Sequence, residues 1–141
     1  MQPDDRLYNA EGAVHMMKYP TRLDDPQEYF DHVVSTKFFQ NRWMPVLRRR
    51  VTVKTSNHSS AWSNLGDNII YLPPWAMTDF TLLHEIAHMC APRPLDHGPK
   101  FIAAELALVS RFMGQEAGNC LRHAVAAYGL EPGEKIFPRY R

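Results

Sequence analysis

The 141-residue chain is short of several things, and each shortage removes a class of explanation. Its two cysteines, Cys90 and Cys120, are too few for a disulfide framework and form no Cys-x-x-Cys pair. Both sit in apolar helical contexts, where a free thiol behaves as a small hydrophobe and a reducing cytoplasm is expected. Neither sign of charge is in excess, with 16 Lys and Arg against 15 Asp and Glu, so no strong electrostatic pull toward nucleic acid or a membrane surface is expected. No apolar run approaches the roughly 20 residues that cross a bilayer. The opening Gln2-Pro3-Asp4-Asp5 lacks the basic-then-apolar order of a secretory signal. Internal repeats and low-complexity stretches are missing too. What is left is an ordinary globular composition over a length that one domain, 1–141, fills with a single core.

Against that background one stretch stands out. His84-Glu85-Ile86-Ala87-His88 lies in an apolar run with Phe80, Leu82, Leu83, Met89 and Cys90, which reads as a buried helix. Residues four apart on a helix stand one above the other, so the rings of His84 and His88 can converge on one metal ion. Glu85 follows about 100° round the helix, where its carboxylate can act on a metal-bound water. Burying two imidazoles and a carboxylate without partners costs a few kcal/mol each, and a metal removes most of that cost. Zinc suits the donor set, and a catalytic zinc takes three protein ligands.

The third ligand is sought downstream. Pro92 and Pro94 end the helix, and Gly98-Pro99 opens another with proline at its favoured first position, which lets His97 fold back onto His84 and His88. Glu105, the one acid in the apolar run 101–113, and Asp96 are the rivals, Asp96 also as a group that orients a ligand.

The pairing of Thr81-Leu82-Leu83-His84-Glu85-Ile86-Ala87-His88 with His97-Gly98-Pro99-Lys100-Phe101 resembles the SprT-like zinc peptidases, in which a His-Glu-x-x-His helix is followed by His-Gly-x-x-Phe. Length and the opening Asp5-Arg6-Leu7-Tyr8-Asn9-Ala10-Glu11 are similar to a small family of bacterial and bacteriophage metallohydrolases. The resemblance spans roughly 26–113. It implies a zincin-like domain with His84, His88 and His97 as zinc ligands, Glu85 as the catalytic residue, and a sheet edge beside the site that binds an extended peptide as an added strand. The zinc ribbon or DNA-binding tail of some larger members is missing.

The remaining chain supplies the frame. A short helix near 6–17 and the breaker Tyr19-Pro20 make 1–25 a peripheral segment. Asp25 caps an amphipathic helix over 26–42 whose stripe is Tyr29, Phe30, Val33, Val34, Phe38 and Phe39. Residues 46–55 alternate as a half-buried strand, which sends Arg49 to the face opposite Arg48 and Arg50 and makes them a solvated strand, not a polybasic patch. Strands 59–63 and 68–72 form a hairpin around Asn64-Leu65-Gly66-Asp67, and Thr78 caps the metal-binding helix. A central buried helix over 99–113 follows, then a helix over 116–128 with Ala117, Cys120, Leu121, Ala124, Val125 and Ala127 inward and Gly129 at its C-cap. The tail 131–141 reads as extended and peripheral. The fold class expected is α+β: a small, mostly antiparallel sheet flanked by helices, with the metal-binding helix followed by a second buried one.

The function expected is a zinc-dependent hydrolase, most readily a peptidase acting on polypeptide, with no membrane or nucleic-acid partner. Glu85 moves the proton, and Tyr71, His58, Arg93 and His123 are the candidates to stabilise the oxyanion. The alternatives are hydrolysis of a small amide or other non-peptide substrate, and a zinc-stapled interaction module with Cys90 as the nearest fourth ligand.

Overall fold

The computed structural model describes residues 3–43, 50–57, 60–64, 67–91 and 97–133 and contains, among them, six α-helices and a three-stranded sheet. The first helix, α1 (Pro3–Met16), is not peripheral. Leu7, Ala10 and Val14 recur at helical spacing and are fully buried, and α1 packs along α6 (Gln115–Ala127). The linker after it is pinned to the start of α4 (Asp79–Cys90): Asp79 accepts hydrogen bonds from the backbone N–H of Thr21 and of Phe80, both at 2.8 Å.

The aromatic stripe expected on one helix over 26–42 belongs to two. In α2 (Pro26–Ser35) Asp25 accepts from the Glu28 N–H, as expected of an N-cap. Thr36 then takes an extended conformation. Its hydroxyl donates to the Val33 carbonyl at 2.8 Å and accepts from the Phe39 N–H at 3.2 Å, so one side chain closes α2 and opens α3 (Lys37–Trp43). Phe30, Val33, Phe39 and Trp43 still face one core.

Of the strand expected over 46–55, residues 46–49 lie outside the described residues, and β1 covers Thr52–Thr55. The hairpin is present as β2 (Trp62–Asn64) and β3 (Ile69–Leu72), antiparallel with Trp62 opposite Tyr71. The sheet order is β1-β3-β2, and β1 runs parallel to β3, so the sheet is mixed where a mostly antiparallel one was expected. The reason is burial: β3 carries Ile70 and Leu72, both fully buried, and takes the centre, which forces the chain to cross from β1 to the far edge before it turns back. The Gln27 side chain closes the outer edge of β1, accepting from the Val53 N–H at 2.7 Å and donating to the Val51 carbonyl at 3.1 Å. The opposite edge is β2.

Behind the sheet, α4 packs on α5 (Pro99–Phe112), and α5 on α6. The contact of α5 with α6 is close, for a Cβ on Gly118 would stand 2.0 Å from Ser110 Oγ. Within α6, Ala117, Leu121 and Val125 are buried, whereas Ala127 faces outward, and Gly129 takes the left-handed conformation expected after the helix. The Gly133 N–H bonds to the Pro99 carbonyl at 2.7 Å; residues 134–141 of the expected tail lie outside the described residues. Both cysteines are free, and no described helix is long and apolar enough to cross a membrane.

Candidate metal centre

Thr78 caps α4 by accepting from the Thr81 N–H at 3.2 Å, which sets the register of the helix that carries His84, Glu85 and His88. Residues 92–96, including Arg93 and Asp96, lie outside the described residues; His97 stands just before α5 and returns to α4. His97 Nε2 is 3.0 Å from His88 Nε2, and His84, His88 and His97 form a group whose ligand atoms all lie within 4.8 Å of one another. Two nitrogens on a tetrahedral zinc stand about 3.3 Å apart, so the three donors need only small adjustments to share an ion. Beneath them lies Phe101, fully buried, with its ring 4.9, 4.6 and 4.9 Å from those of His84, His88 and His97. One aromatic platform in the first turn of α5 therefore holds all three imidazoles.

Orientation of His84 comes from behind the site. Its Nδ1 meets Oε2 of Glu11, from α1, and Oε2 of Glu105, from α5, the latter at 3.0 Å. These three also form a group compact enough for an ion. With two buried carboxyls against it, however, Nδ1 is a hydrogen-bond donor, which leaves Nε2 as the ligand atom of the first group. Glu105, a rival for third ligand in the sequence, thus sits on the far side of His84. Glu11 was not foreseen at all.

The electrostatics of the metal-free site set its groups apart. Burial pushes the Glu11 carboxyl up to about 7, against a hydrogen bond from Glu105. Burial, with the charge of Glu11, holds Glu105 well above the ordinary carboxylate range. The pair therefore shares a proton at neutral pH. Burial alone would lower the pKa of His84, but the hydrogen bond and charge of Glu105, with the charge of Glu85, outweigh it and raise it, so an ion at Nε2 has a proton to displace. Burial and the charges of His84 and His97 bring His88 down to about 3, which keeps its lone pair free for a metal.

Glu85 is 4 % exposed, and its Oε2 lies 4.0 Å from His84 Nε2, the ligand face of that ring. Burial raises its pKa; the charge of His84 and a hydrogen bond from Ser63 of β2 act the other way. Both groups open into a cleft of about 500 Å³. One wall is the α1 face of Tyr8, Glu11 and His15, and the other is the edge strand with Ser60 to Ser63. Trp75, 68 % exposed, stands at the rim.

Of the oxyanion candidates, Tyr71 stacks on Trp62 at 4.3 Å and does not line the cleft, His123 is exposed on α6, and His58 and Arg93 lie outside the described residues. Two residues of α1 are there instead. The Tyr8 ring lies 6.4 Å from that of His84 and 5.5 Å from that of His97, and His15 packs edge-on against Phe80 at 5.1 Å. Recognising Leu7, Ala10, Glu11 and Val14 as one helical face would have drawn attention to them. No family model, no curated protein and no solved structure matches the chain.

Proposed function

We propose that the chain is a zinc-dependent peptidase of the SprT-like kind, with His84, His88 and His97 as ligands and Glu85 as the catalytic residue. The observation that carries this reading is the 4.0 Å separation of His84 Nε2 and the Glu85 carboxylate, both facing a cleft whose wall is a sheet edge. Zinc held there supplies Lewis acidity, which acidifies water and polarises a carbonyl. Glu85 takes the proton as the water oxygen bonds to the carbonyl carbon, and returns it to the amine as the C–N bond breaks. Its burial and raised pKa suit a group that must hold the proton between those steps. Tyr8 and His15 stand on the facing wall as donors for the developing oxyanion.

Substrate follows from the other wall. Since Gln27 closes the β1 edge, β2 is the edge left to pair with an extended polypeptide; β3, central in the sheet, does not serve. Ser63 links that edge to Glu85, so a segment added to β2 lies along the base. Flexible polypeptides fit and folded domains, with strands already paired, do not. A zinc staple without catalysis is disfavoured because Cys90, the nearest soft fourth ligand, lines a different cleft, and its apolar surroundings push the thiol pKa well above normal.

Zinc-loaded wild type and Glu85→Gln, incubated with unstructured polypeptides, test the reading. The variant keeps fold and zinc and loses on the order of 10² to 10⁴ in turnover. Equal turnover by the two proteins refutes the role of Glu85, and zinc-dependent hydrolysis confined to small amides moves the substrate class.

A further inference from the structure

Away from the histidines, a second cleft of about 530 Å³ opens between α3, α5 and the start of α6. Its floor is the small-residue face of α5, where Ala103, Ala107 and Ser110 recur at three- and four-residue steps. Ser110 Oγ itself is turned into the contact with Gly118 of α6 and has no hydrogen-bond partner among the described residues. Its rim is basic. Arg42 comes from α3, Lys100 and Arg111 from the two ends of α5, and Arg122 from α6, and no Asp or Glu is among the described lining residues. Among the described residues, Lys100, Arg111 and Arg122 enter no ion pair.

Two of these cations are held against one ring. The Arg42 guanidinium lies 3.8 Å from the Phe38 centroid and that of Arg111 5.5 Å from it. Burial and the charge of Arg111 both pull Arg42 below its ordinary pKa, as expected of like charges brought together. An anion beside both relieves that repulsion and gains charge-assisted hydrogen bonds.

We propose that this cleft is a second binding site, for a small organic anion: a carboxylate, sulfate or phosphate group beside Arg42 and Arg111, carried on a flat apolar body that lies along the alanine face of α5. The volume falls within the ~300–1,000 Å³ of small-molecule sites. An apolar, concave floor suits such a body, whereas a nucleic-acid backbone requires cations tracking along an open groove. This cleft shares no described lining residue with the histidine cleft.

Two dyes that share a ring system test it: anilinonaphthalene sulfonate, and phenylnaphthylamine, which lacks the sulfonate. Titrated by fluorescence into the purified protein, the sulfonate binds about tenfold or more tightly than the neutral dye, the size of a charge-assisted contact. Arg111→Gln with Arg122→Gln, both at exposed positions, removes that advantage and leaves neutral-dye binding and the circular dichroism spectrum unchanged. Ala107→Leu fills the floor and weakens both dyes, and Trp75→Ala in the histidine cleft affects neither. Equal affinity for the two dyes, indifference of the sulfonate to loss of both arginines, or its sensitivity to Trp75→Ala overturns the proposal. So does a single-stranded oligonucleotide that displaces the sulfonate and binds more tightly, since that outcome assigns the cleft to a polyanion.

Discussion

Replacing Glu11 by Met separates metal binding from folding. Glu11 touches His84 Nδ1 from α1, 73 positions away in the chain, so its loss frees the ring to rotate and weakens the donor at Nε2. Removing a carboxylate partner of this kind costs about 10- to 100-fold in metal affinity. Because Glu105 accepts from the same nitrogen at 3.0 Å, the single substitution falls near the lower end, about tenfold or ~1.4 kcal/mol, and Glu11→Met with Glu105→Gln near the upper end. Stability of the metal-free fold moves the other way or stays level. A carboxyl that burial drives up to about 7 is costly to keep, and a thioether of similar length removes that cost. The assay is competition for zinc with a chromophoric chelator, alongside thermal melts of metal-free protein. A purely structural Glu11 predicts the reverse pattern, lower melting temperature with zinc affinity unchanged, and that result refutes the argument.

Further outcomes follow from single contacts. His97→Ala abolishes stoichiometric zinc in elemental analysis, whereas His32→Ala and His123→Ala, at exposed positions, retain it. Gly118→Ala lowers stability by about 1–3 kcal/mol in denaturant melts despite its better helix propensity, because the new methyl meets Ser110 Oγ at 2.0 Å and Ser110 Cα at 2.9 Å; a gain in stability contradicts the close helix contact. Asp79 is buried with its pKa raised, so the folded state binds its proton more tightly than the unfolded chain. Its contribution is fully present below the unfolded value of 3.8 and is lost as pH rises through the folded pKa. Asp79→Asn therefore gains stability relative to wild type as pH increases across that window, and a constant difference in melts at several pH values refutes it.

What the sequence disclosed and what it hid divide along physical lines. His84, Glu85 and His88 are legible because one helix fixes their geometry, and His97 because prolines and a glycine punctuate the chain on either side of it. Glu105 is visible as an acid in an apolar run, but whether it meets Nδ1 or the metal face of His84 depends on the packing of α5 against α4. Glu11 and the cleft wall of α1 depend on contacts between distant segments, and the short, weakly patterned helix gave little reason to seek them. The order β1-β3-β2 is hidden for the same reason, since alternation identifies strands but not their neighbours. The break at Thr36 was within reach: a Ser-Thr pair inside an apolar periodicity offers hydroxyls that compete for backbone partners.

The two walls of the cleft are joined to α4 by different bonds. Glu11 ties α1 to His84, and Ser63 ties β2 to Glu85, while both His84 and Glu85 ride on α4. A change in the spacing of the walls must therefore either stretch one of these contacts or shift His84 or Glu85. Side chains in a buried, hydrogen-bonded setting resist such shifts, because an unpaired carboxyl or imidazole there costs about 1–3 kcal/mol. Under the proposed function, a polypeptide added to β2 thus meets a cleft whose width depends on the same contacts that orient His84 and Glu85. The buried charges near His84 serve that alignment at some expense to the stability of the metal-free fold, and a bound ion offsets the expense by drawing on the nitrogens they orient.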